Sequence, residues 1–509
     1  MWAEKFKWDH VASDINSPYS RNIIFTKSFR DQGKKFNIGG LILGTVARKN
    51  DIDYIGDLNE WTKSNKLFQE HIKKDMYFVK KLIDETEREG QKFNEWSKKE
   101  IYEKNLTKFS SKELMNLYRE FQTRQKYMYV MGTTLPLIDF QNFSFIETNM
   151  NNFLKEKAPE KLSRYYKLFT APPNNSFSLD QEIALLKLLD KYYSKEFATT
   201  LKDKDLKVVQ ELYPNFIEEL KIHAENYGWI YYVYAGPAFG LKEFFGFAKD
   251  YMEKNIVPKD KLQSLTNSKE QVKEEKEKAL KELVPDEFNE MILRLAGKIV
   301  WAKPRRKDHQ SMSYFHAEKL QREIAKRLYL TLDQIRSAPL ELLDKAFETD
   351  EPNVEIMNSI YDFHVTLPTE DGDATVIYGQ EARDFVEKHV PKKEEVDIGD
   401  ISEIKGMSAH PGKVKGIVKI INKSEEMEKM NSGDILVSGG TSPNIVPAMK
   451  KAAAIVTDEG GLTCHAAIVS RELQIPCIVG TKFITRAVKD GYLVEVDADN
   501  GLITIISKI

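Results

Sequence analysis

The stretch DEGGLTCHAAIVSREL, residues 458–473, places His465 between a glycine pair and a run of small apolar residues. The preceding AAIVTD (453–458) is typical of a buried strand, and Gly460 and Gly461 permit backbone angles that other residues resist. The residues from Cys464 onward predict a helix with His465 in its first turn, where backbone N–H groups and the helix dipole favour an anion. Neutral imidazole is a nucleophile near neutral pH. His465 could therefore carry a phosphoryl group or simply cap the helix, and this stretch alone leaves both interpretations open.

Short β-like runs surround this histidine throughout the end of the chain. Besides AAIVTD they are GIVKII (416–421), DILVSG (434–439), IPCIVG (475–480), LVEVDA (493–498) and LITIIS (502–507). Helical patterns alternate with them, at PNIVPAMKKA (443–452) and at HAAIVSREL (465–473). We therefore predict a compact α/β domain over residues 405–509, preceded by a charged linker over residues 386–404.

The remainder of the chain is predicted to be mostly helical. A small β-containing segment is expected at 1–56, from the runs NIIFTKSF (22–29) and LILGTVAR (41–48) and a glycine-containing loop or hairpin between them. Residues 57–385 are predicted to form a helical, substrate-binding domain. Three pairs have the spacing of a capping box, in which two helix-terminal donors are satisfied reciprocally: Ser110 with Glu113, Ser178 with Gln181, and Thr331 with Gln334.

Composition excludes several classes of protein. The 76 basic and 78 acidic residues give a formal net charge of -2, so no global field attracts nucleic acid or an anionic membrane. Two cysteines in 509 residues do not form a disulfide framework and favour a reducing compartment. The start of the chain has no apolar signal region, and we find no apolar run long enough to span a bilayer. We expect a cytoplasmic protein that binds neither nucleic acid nor membrane, and we predict no structural metal site.

Several motifs in fixed order carry a resemblance to a known family. They are TSPN (441–444), GGLTCHAAI (460–468), RE (471–472), IPCIVG (475–480) and VDADNG (496–501). In this order they resemble the swivelling phosphohistidine domain of the phosphoenolpyruvate-utilising enzymes, the family of phosphoenolpyruvate synthase and pyruvate phosphate dikinase. The resemblance covers about residues 405–509 and implies a β/β/α swivel domain.

The resemblance also implies roles for individual residues. His465 would be the phosphorylated residue, and Thr441 and Thr463 would hold its ring and its phosphate. Gly460, Gly461 and Cys464 would support the same loop. One departure is Asn444, where the family often has an acid, so no carboxylate role is expected at that position.

The arrangement resembles rifampin phosphotransferase without its ATP-grasp part, and phenylphosphate synthase, whose phosphohistidine and ATP-binding parts are separate subunits. We find no GxxxxGK[ST] motif and no glycine-rich nucleotide module in the first 400 residues. The resemblance therefore implies that this chain binds no cofactor itself and that a separate ATP-grasp partner uses ATP and Mg. The linker would let the histidine domain swing between that donor and a small-molecule acceptor in the helical domain.

The best candidate for an acceptor site is HAENYGWIYYVYAGPAF (223–239). His223, Glu225 and Asn226 are polar residues beside aromatic ones such as Trp229, which suits a small-molecule pocket with His223 or Glu225 as general base. The alternative is that the aromatic residues are core and His223 is a satisfied buried histidine.

A second candidate segment is KPRRKDHQ (303–310), in which Arg305 and Arg306 could clamp a phosphoryl group. A solvated basic loop is the alternative for this segment.

We predict a phosphotransferase component, one subunit of a split system, in which His465 relays a phosphoryl group. Two other functions remain open. One is a non-catalytic docking or regulatory protein with a phosphohistidine domain. The other is a lyase or dehydratase that activates a hydroxyl by transient phosphorylation.

Overall fold

The computed structural model describes residues 1–14, 23–49, 51–75, 77–140, 143–391, 401–461 and 464–508. The chain divides into two compact units, Met1–Pro391 and Lys392–Ile509. The predicted fold class is confirmed, because the first unit is mostly helical with a small β element and the second is α/β.

Helices dominate the first unit. They are α1 (Ile23–Phe36), α2 (Leu58–Lys74), α3 (Phe78–Ser97), α4 (Ser111–Leu137), α5 (Phe145–Lys157), α6 (Leu162–Thr170), α7 (Phe177–Tyr192), α8 (Lys195–Asp203), α9 (Leu206–Leu212), α10 (Pro214–Tyr227), α11 (Leu241–Glu253), α12 (Pro258–Leu283), α13 (Glu287–Leu328), α14 (Leu332–Ser337), α15 (Leu340–Thr349), α16 (Val354–Asp362) and α17 (Gly379–His389). The 42-residue helix α13 packs against α3, α4, α5 and α6 and so organises the unit.

The strands of the first unit are β1 (Asp9–Asp14), β2 (Leu43–Arg48), β3 (Asp51–Gly56), β4 (Asp139–Phe140), β5 (Phe143–Ser144), β6 (Phe363–Pro368) and β7 (Ala374–Tyr378). Five of them form an antiparallel sheet in the order β1-β3-β2-β6-β7, and β4 pairs with β5. The sheet joins the predicted N-terminal segment 1–56 to strands within the predicted helical region 57–385. The two predicted domains therefore share one compact unit.

Two local predictions for the first unit are wrong. The run NIIFTKSF, expected to be a strand, lies almost entirely in α1. Ser178 does not cap α7, because it is the second residue of the helix; the N-cap is Ser176, whose Oγ accepts from Leu179 N at 3.2 Å. The other two capping boxes, at Ser110 and at Thr331, are present in the structure.

The second unit alternates strands and short helices. Its elements are β8 (Glu403–Lys405), β9 (Met407–His410), β10 (Lys413–Ile420), β11 (Ile435–Ser438), α18 (Val446–Met449), β12 (Ala454–Thr457), α19 (His465–Leu473), β13 (Cys477–Val479), α20 (Ile484–Ala487), β14 (Leu493–Asp497) and β15 (Leu502–Ser507). Five of the six predicted runs contain one of these strands, and the sixth, GIVKII, overlaps the second half of β10. The predicted linker 386–404 overlaps the ends of α17 and β8, and residues 392–400 lie outside the described residues.

The eight strands form one sheet in the order β8-β15-β14-β10-β11-β12-β13-β9. The neighbours from β10 to β13 are parallel, and the outer pairs are antiparallel. Strands β11 and β12 are buried at every position, as expected for the centre of a sheet covered on both faces. The loops after these two strands carry the predicted site.

Candidate functional site

The register of two central strands determines where His465 lies. β11 and β12 are parallel neighbours, and Ser438 pairs with Thr457 at their ends. The carboxyl ends of adjacent parallel strands meet at one edge of a sheet, where α/β folds place their ligands. The loop after β11, which carries Thr441, therefore starts beside the loop after β12, which leads to His465.

The side chains of Thr441 and His465 are in direct contact. Thr441 Oγ1 lies 2.8 Å from Nδ1 of His465, and both residues are partly buried. A hydroxyl can donate or accept, so the bond admits either tautomer of the ring. When Nδ1 carries the hydrogen, it donates to Thr441 and the ring's lone pair lies on Nε2. In that tautomer Thr441 orients the imidazole through Nδ1 and leaves the lone pair on Nε2 available for chemistry.

Asn422 fixes the loop that carries Thr441. Its Oδ1 accepts a hydrogen bond from Gly439 N at 2.9 Å and lies 3.1 Å from Ser438 Oγ. Asn422 lies two residues after the end of β10 and belongs to no motif, so nothing in the sequence singled it out. Asn444, at the position where the family often has an acid, bonds to Ser442 and donates to Ser424 Oγ at 2.9 Å.

Asp458 holds the turn that leads to His465. Its carboxylate accepts from Thr485 N at 3.1 Å, from the Thr485 hydroxyl, and from Thr481 Oγ1 at 3.3 Å. The sequence did contain a signal for this residue, because an acid at the end of a buried strand and before a glycine pair is well placed to bind backbone N–H groups.

The predicted glycine pair has two different environments. Gly460 has φ +111°, and a Cβ at this position would lie 2.7 Å from Cys464 Sγ. A Cβ on Gly461 would meet nothing closer than Met407 Cε at 3.9 Å. Only Gly460 is therefore required for the shape of the turn. Thr463, predicted to support the phosphate, lies outside the described residues.

Cys464 is the N-cap of α19, and its N–H donates to Gly461 O at 3.0 Å. Burial raises the pKa of its thiol, and burial raises the pKa of Cys477 to about 12. Both thiols therefore stay protonated, which makes them poor nucleophiles. Of the residues around this turn, His465 has the side chain suited to covalent chemistry.

The helix that begins at His465 is anchored by its other face. Ala466 and Ala467 are buried against the sheet. Arg471 Nε donates to Ala409 O at 3.0 Å, which ties the last turn of α19 to β9. The first-turn N–H groups of an anchored helix present a fixed positive end beside the ring of His465, which is an arrangement suited to an anion.

The structure does not bring the predicted acceptor residues together. His223 is 6% exposed in α10, where its Nε2 lies 3.1 Å from Gln181 Nε2 and its ring packs against Tyr227 and Phe244. Burial lowers its pKa to about 4. Because Gln181 Oε1 accepts from Tyr231 OH at 3.0 Å, its amide group donates to the histidine, which therefore stays neutral.

The other residues of that predicted site point elsewhere. Glu225 and Asn226 are exposed, whereas Trp229 is 5% exposed and donates to Asn226 O at 2.9 Å. Positions two apart on a helix lie on different faces, so His223 and Glu225 cannot act on one ligand. The alternative interpretation, a buried histidine within an aromatic core, describes this segment up to Tyr231.

Arg305 and Arg306 lie in α13 and not in the solvated loop that the sequence also allowed. Arg305 Nη2 donates to Glu87 at 3.0 Å, and its guanidinium stacks 3.4 Å from the ring centre of Phe177. His309 Nε2 lies 2.9 Å from Glu87. Burial alone would raise the pKa of Glu87, but the bonds from His309 and Arg305 lower it to about 2. Arg305 therefore belongs to a structural ion pair.

Arg306 packs against a different helix. Its Cδ would lie 3.3 Å from a Cβ on Gly132 of α4. The two arginines therefore face different helices and do not converge as a clamp. Among the described residues, no group of three or more His, Cys, Asp or Glu side chains could hold a metal ion. Within the same part of the chain, no helix is long and apolar enough to cross a membrane.

Comparison with known proteins places the second unit in a family. Residues 430–501 match the model of the PEP-utilising enzyme, mobile domain. The probable phosphoenolpyruvate synthase of Archaeoglobus fulgidus is 49% identical over 132 residues, which are 25% of this chain and 18% of that protein. The phosphoenolpyruvate synthase of Pyrococcus furiosus is 42% identical over 174 residues, 32% of this chain and 21% of that protein.

The chain thus covers about a fifth of the length of these relatives. A stretch of 174 residues is longer than the whole unit Lys392–Ile509, so the second match extends into the first unit. The structure of Thermococcus kodakaraensis aconitase X (holo-form) matches 21% of this chain and 98% of that chain at 24% identity, with a TM-score of 0.17 that supports no conclusion. Residues 430–501 therefore match the mobile domain of the PEP-utilising enzyme family, and they contain the motifs TSPN, GGLTCHAAI, RE and IPCIVG in the expected order.

Proposed function

We propose that His465 carries a phosphoryl group on Nε2 and relays it between a donor and a small-molecule acceptor. The observation that supports this most directly is the 2.8 Å contact between Thr441 Oγ1 and His465 Nδ1 at the start of α19. It engages one ring nitrogen and directs phosphoryl chemistry to the other, beside helix N–H groups that favour an anion.

The relay consists of two successive nucleophilic displacements at phosphorus. In the first, the Nε2 lone pair attacks the donor phosphorus, an N–P bond forms, and the donor P–O bond breaks. In the second, an acceptor oxygen attacks the same phosphorus and the N–P electron pair returns to Nε2. The acceptor hydroxyl gives up its proton to a base, and the Nδ1 hydrogen stays on the ring throughout, bonded to Thr441.

We propose that the donor is ATP, used with Mg by a separate ATP-grasp protein, and that the helical unit binds the acceptor. The relatives named phosphoenolpyruvate synthase make phosphoenolpyruvate a second donor to be tested. On this proposal the chain is a phosphotransferase subunit whose substrate specificity resides outside the histidine domain.

The test is phosphoryl labelling of the full chain. The protein is incubated with labelled ATP and a candidate ATP-grasp protein, and in parallel with labelled phosphoenolpyruvate. We expect an acid-labile, base-stable label that is absent in His465→Asn. His410 offers a matched control in the same unit, since it pairs with Cys477 at the amino end of β13 and its Nδ1 lies 3.1 Å from Pro411 O. His410→Asn should label normally, and equal labelling of His465→Asn and wild type would refute the proposal.

A further inference from the structure

A cleft of about 590 Å³ opens within the first unit, next to α13. Its walls come from one side of that helix, from the turn after the 228–231 helical turn, and from Tyr102. The volume lies within the range of small-molecule sites, roughly 300–1,000 Å³. The cleft uses the second half of the segment 223–239 and none of its first half.

The floor of the cleft consists of three polar side chains that are hydrogen-bonded to one another. Tyr232 OH donates to Glu318 Oε2 at 2.5 Å, and Arg336 Nη2 donates to Tyr232 OH at 2.5 Å and to Glu318 Oε2 at 3.0 Å. The side chain of Arg336 is only 3% exposed. A buried charge is tolerated when it is paired and hydrogen-bonded, so these three groups fix one another's positions.

The rim of the cleft carries additional positive charge. Arg322 Nε donates to Glu318 Oε1 at 2.7 Å, and its side chain is 66% exposed. Lys319 donates to the carbonyls of Tyr102 and Lys104 at 2.5 and 2.7 Å. Arg322 and Arg336 both bond to the Glu318 carboxylate, and Lys319 adds a further positive charge to the lining of the cleft, so cationic side chains outnumber the one carboxylate and favour an anionic ligand.

The walls of the cleft are aromatic. The rings of Tyr102 and Phe315 lie 5.3 Å apart, and those of Tyr232 and Phe315 lie 5.8 Å apart. A Cβ on Gly236 would lie 2.7 Å from the ring of Tyr232, so backbone closes one side of the cleft. Aromatic walls above a fixed polar floor accept a flat or apolar body with a few polar groups.

We propose that this cleft is the acceptor site and that it binds a small hydroxy acid with an apolar, ring-sized body. The carboxylate of this ligand faces Lys319 and Arg322, and the hydroxyl of the ligand faces Glu318 and Tyr232. The assignment of this ligand as phosphoryl acceptor rests on the proposed function, whereas its binding does not require a phosphorylated histidine.

The experiment measures binding of three probes to the full chain by calorimetric titration and ligand-observed NMR. Mandelate has a ring, a hydroxyl and a carboxylate; phenylacetate lacks the hydroxyl, and benzyl alcohol lacks the carboxylate. We expect mandelate to bind most tightly and each of the others about threefold or more weakly, since exposed ion pairs contribute modest energies. Arg322→Ala should remove most of the preference of mandelate over benzyl alcohol.

Lys326→Ala is the matched control, since it removes an exposed cation one helical turn further along α13 and outside the cleft. It should leave all three affinities unchanged. The inference is overturned if no probe shows saturable binding, or if Arg322→Ala and Lys326→Ala have equal effects. His465→Asn should bind mandelate like wild type, so loss of labelling with retained binding refutes only the relay, and the reverse refutes only the cleft.

Discussion

His465 and His223 each contact a polar side chain, but the two histidines differ in their position on the helix, their burial and their neighbours. His465 begins a helix at a sheet edge, is partly buried and contacts a hydroxyl. His223 lies in the middle of α10 among aromatic rings and contacts an amide that keeps it neutral. The comparison teaches that a hydrogen-bonded histidine becomes a candidate nucleophile through its position on the backbone, since access and a nearby positive helix end come with that position.

The largest expected effect separates the two histidines directly. His465→Asn should reduce phosphoryl labelling to background, because it removes the nucleophile, whereas His223→Asn should label like wild type. The measurement is incorporation of labelled phosphate per chain at equal protein concentration. Loss of label in both variants would contradict the different roles assigned to the two histidines. It would indicate that the first unit takes part in the phosphorylation of His465.

The second prediction concerns acid stability. The pKa of His223 is about 4 in the folded chain against 6.5 in the unfolded one, so the unfolded state binds more protons between these values. The contribution of His223 to the free energy of unfolding should therefore fall as the pH is lowered from about 6.5 to about 4, by about 2–3 kcal/mol. Above that window the contribution is fully present.

Denaturation followed by tryptophan fluorescence measures this effect selectively, because all six tryptophans lie in the first unit. His316, whose pKa burial also lowers to about 4, contributes with the same sign, whereas Asp308, whose pKa burial raises to about 7, contributes with the opposite sign, so each variant is compared with wild type. His223→Gln should therefore flatten the pH dependence in part, and His465→Asn should leave it unchanged. An unaltered slope in His223→Gln would contradict the assignment.

The third prediction sharpens the role of the turn before His465. Gly460→Ala should slow labelling about tenfold, because strain at a positive φ costs about 1–3 kcal/mol and the added methyl group would overlap Cys464 Sγ. Gly461→Ala is the matched control and should have little effect. Circular dichroism should show both variants folded. Equal rates for the two would mean that the turn does not position the histidine.

The smallest expected effect comes from the partner hydroxyl. Thr441→Val should slow labelling about fivefold, since one hydrogen bond contributes about 1 kcal/mol. Thr441→Ser retains the hydroxyl and should restore most of the rate. A rate for Thr441→Val that equals wild type would show that Thr441 packs beside the ring without orienting it.

The sequence was most informative where motif order and strand periodicity coincide. The run from AAIVTD to HAAIVSREL predicted β12, the glycine turn and a helix beginning at His465, and the structure has these elements. Local signals were sufficient there because each strand of the second unit is short, apolar and bounded by turn residues.

The first unit was harder to predict because its buried faces include polar side chains. Helix α1 buries Ser28 and Gln32, one turn apart, and Gln32 Nε2 donates to Thr134 Oγ1 at 2.5 Å. Apolar periodicity therefore could not reveal this helix, and the β-branched run suggested a strand. The pairing of β2 with β6 joins residues more than 300 positions apart, which no local pattern encodes.

The cleft illustrates a different limit. Tyr232, Glu318 and Arg336 come from three separate parts of the sequence, and their spacing follows no motif. The one error that the sequence could have prevented was pairing His223 with Glu225, since residues two apart on a helix diverge.

The pairing of Ser438 with Thr457 determines which changes in length the second unit can tolerate. Thr441 and His465 are 24 positions apart along the chain, and they meet only because each lies at a set distance beyond the end of its own strand. Insertions in the surface turns between β14 and β15 would leave that distance intact. One residue added between Ser438 and Thr441 would separate the hydroxyl from the ring while sparing every strand. The two residues between them, Gly439 and Gly440, should therefore resist insertion more strongly than their position in a loop suggests.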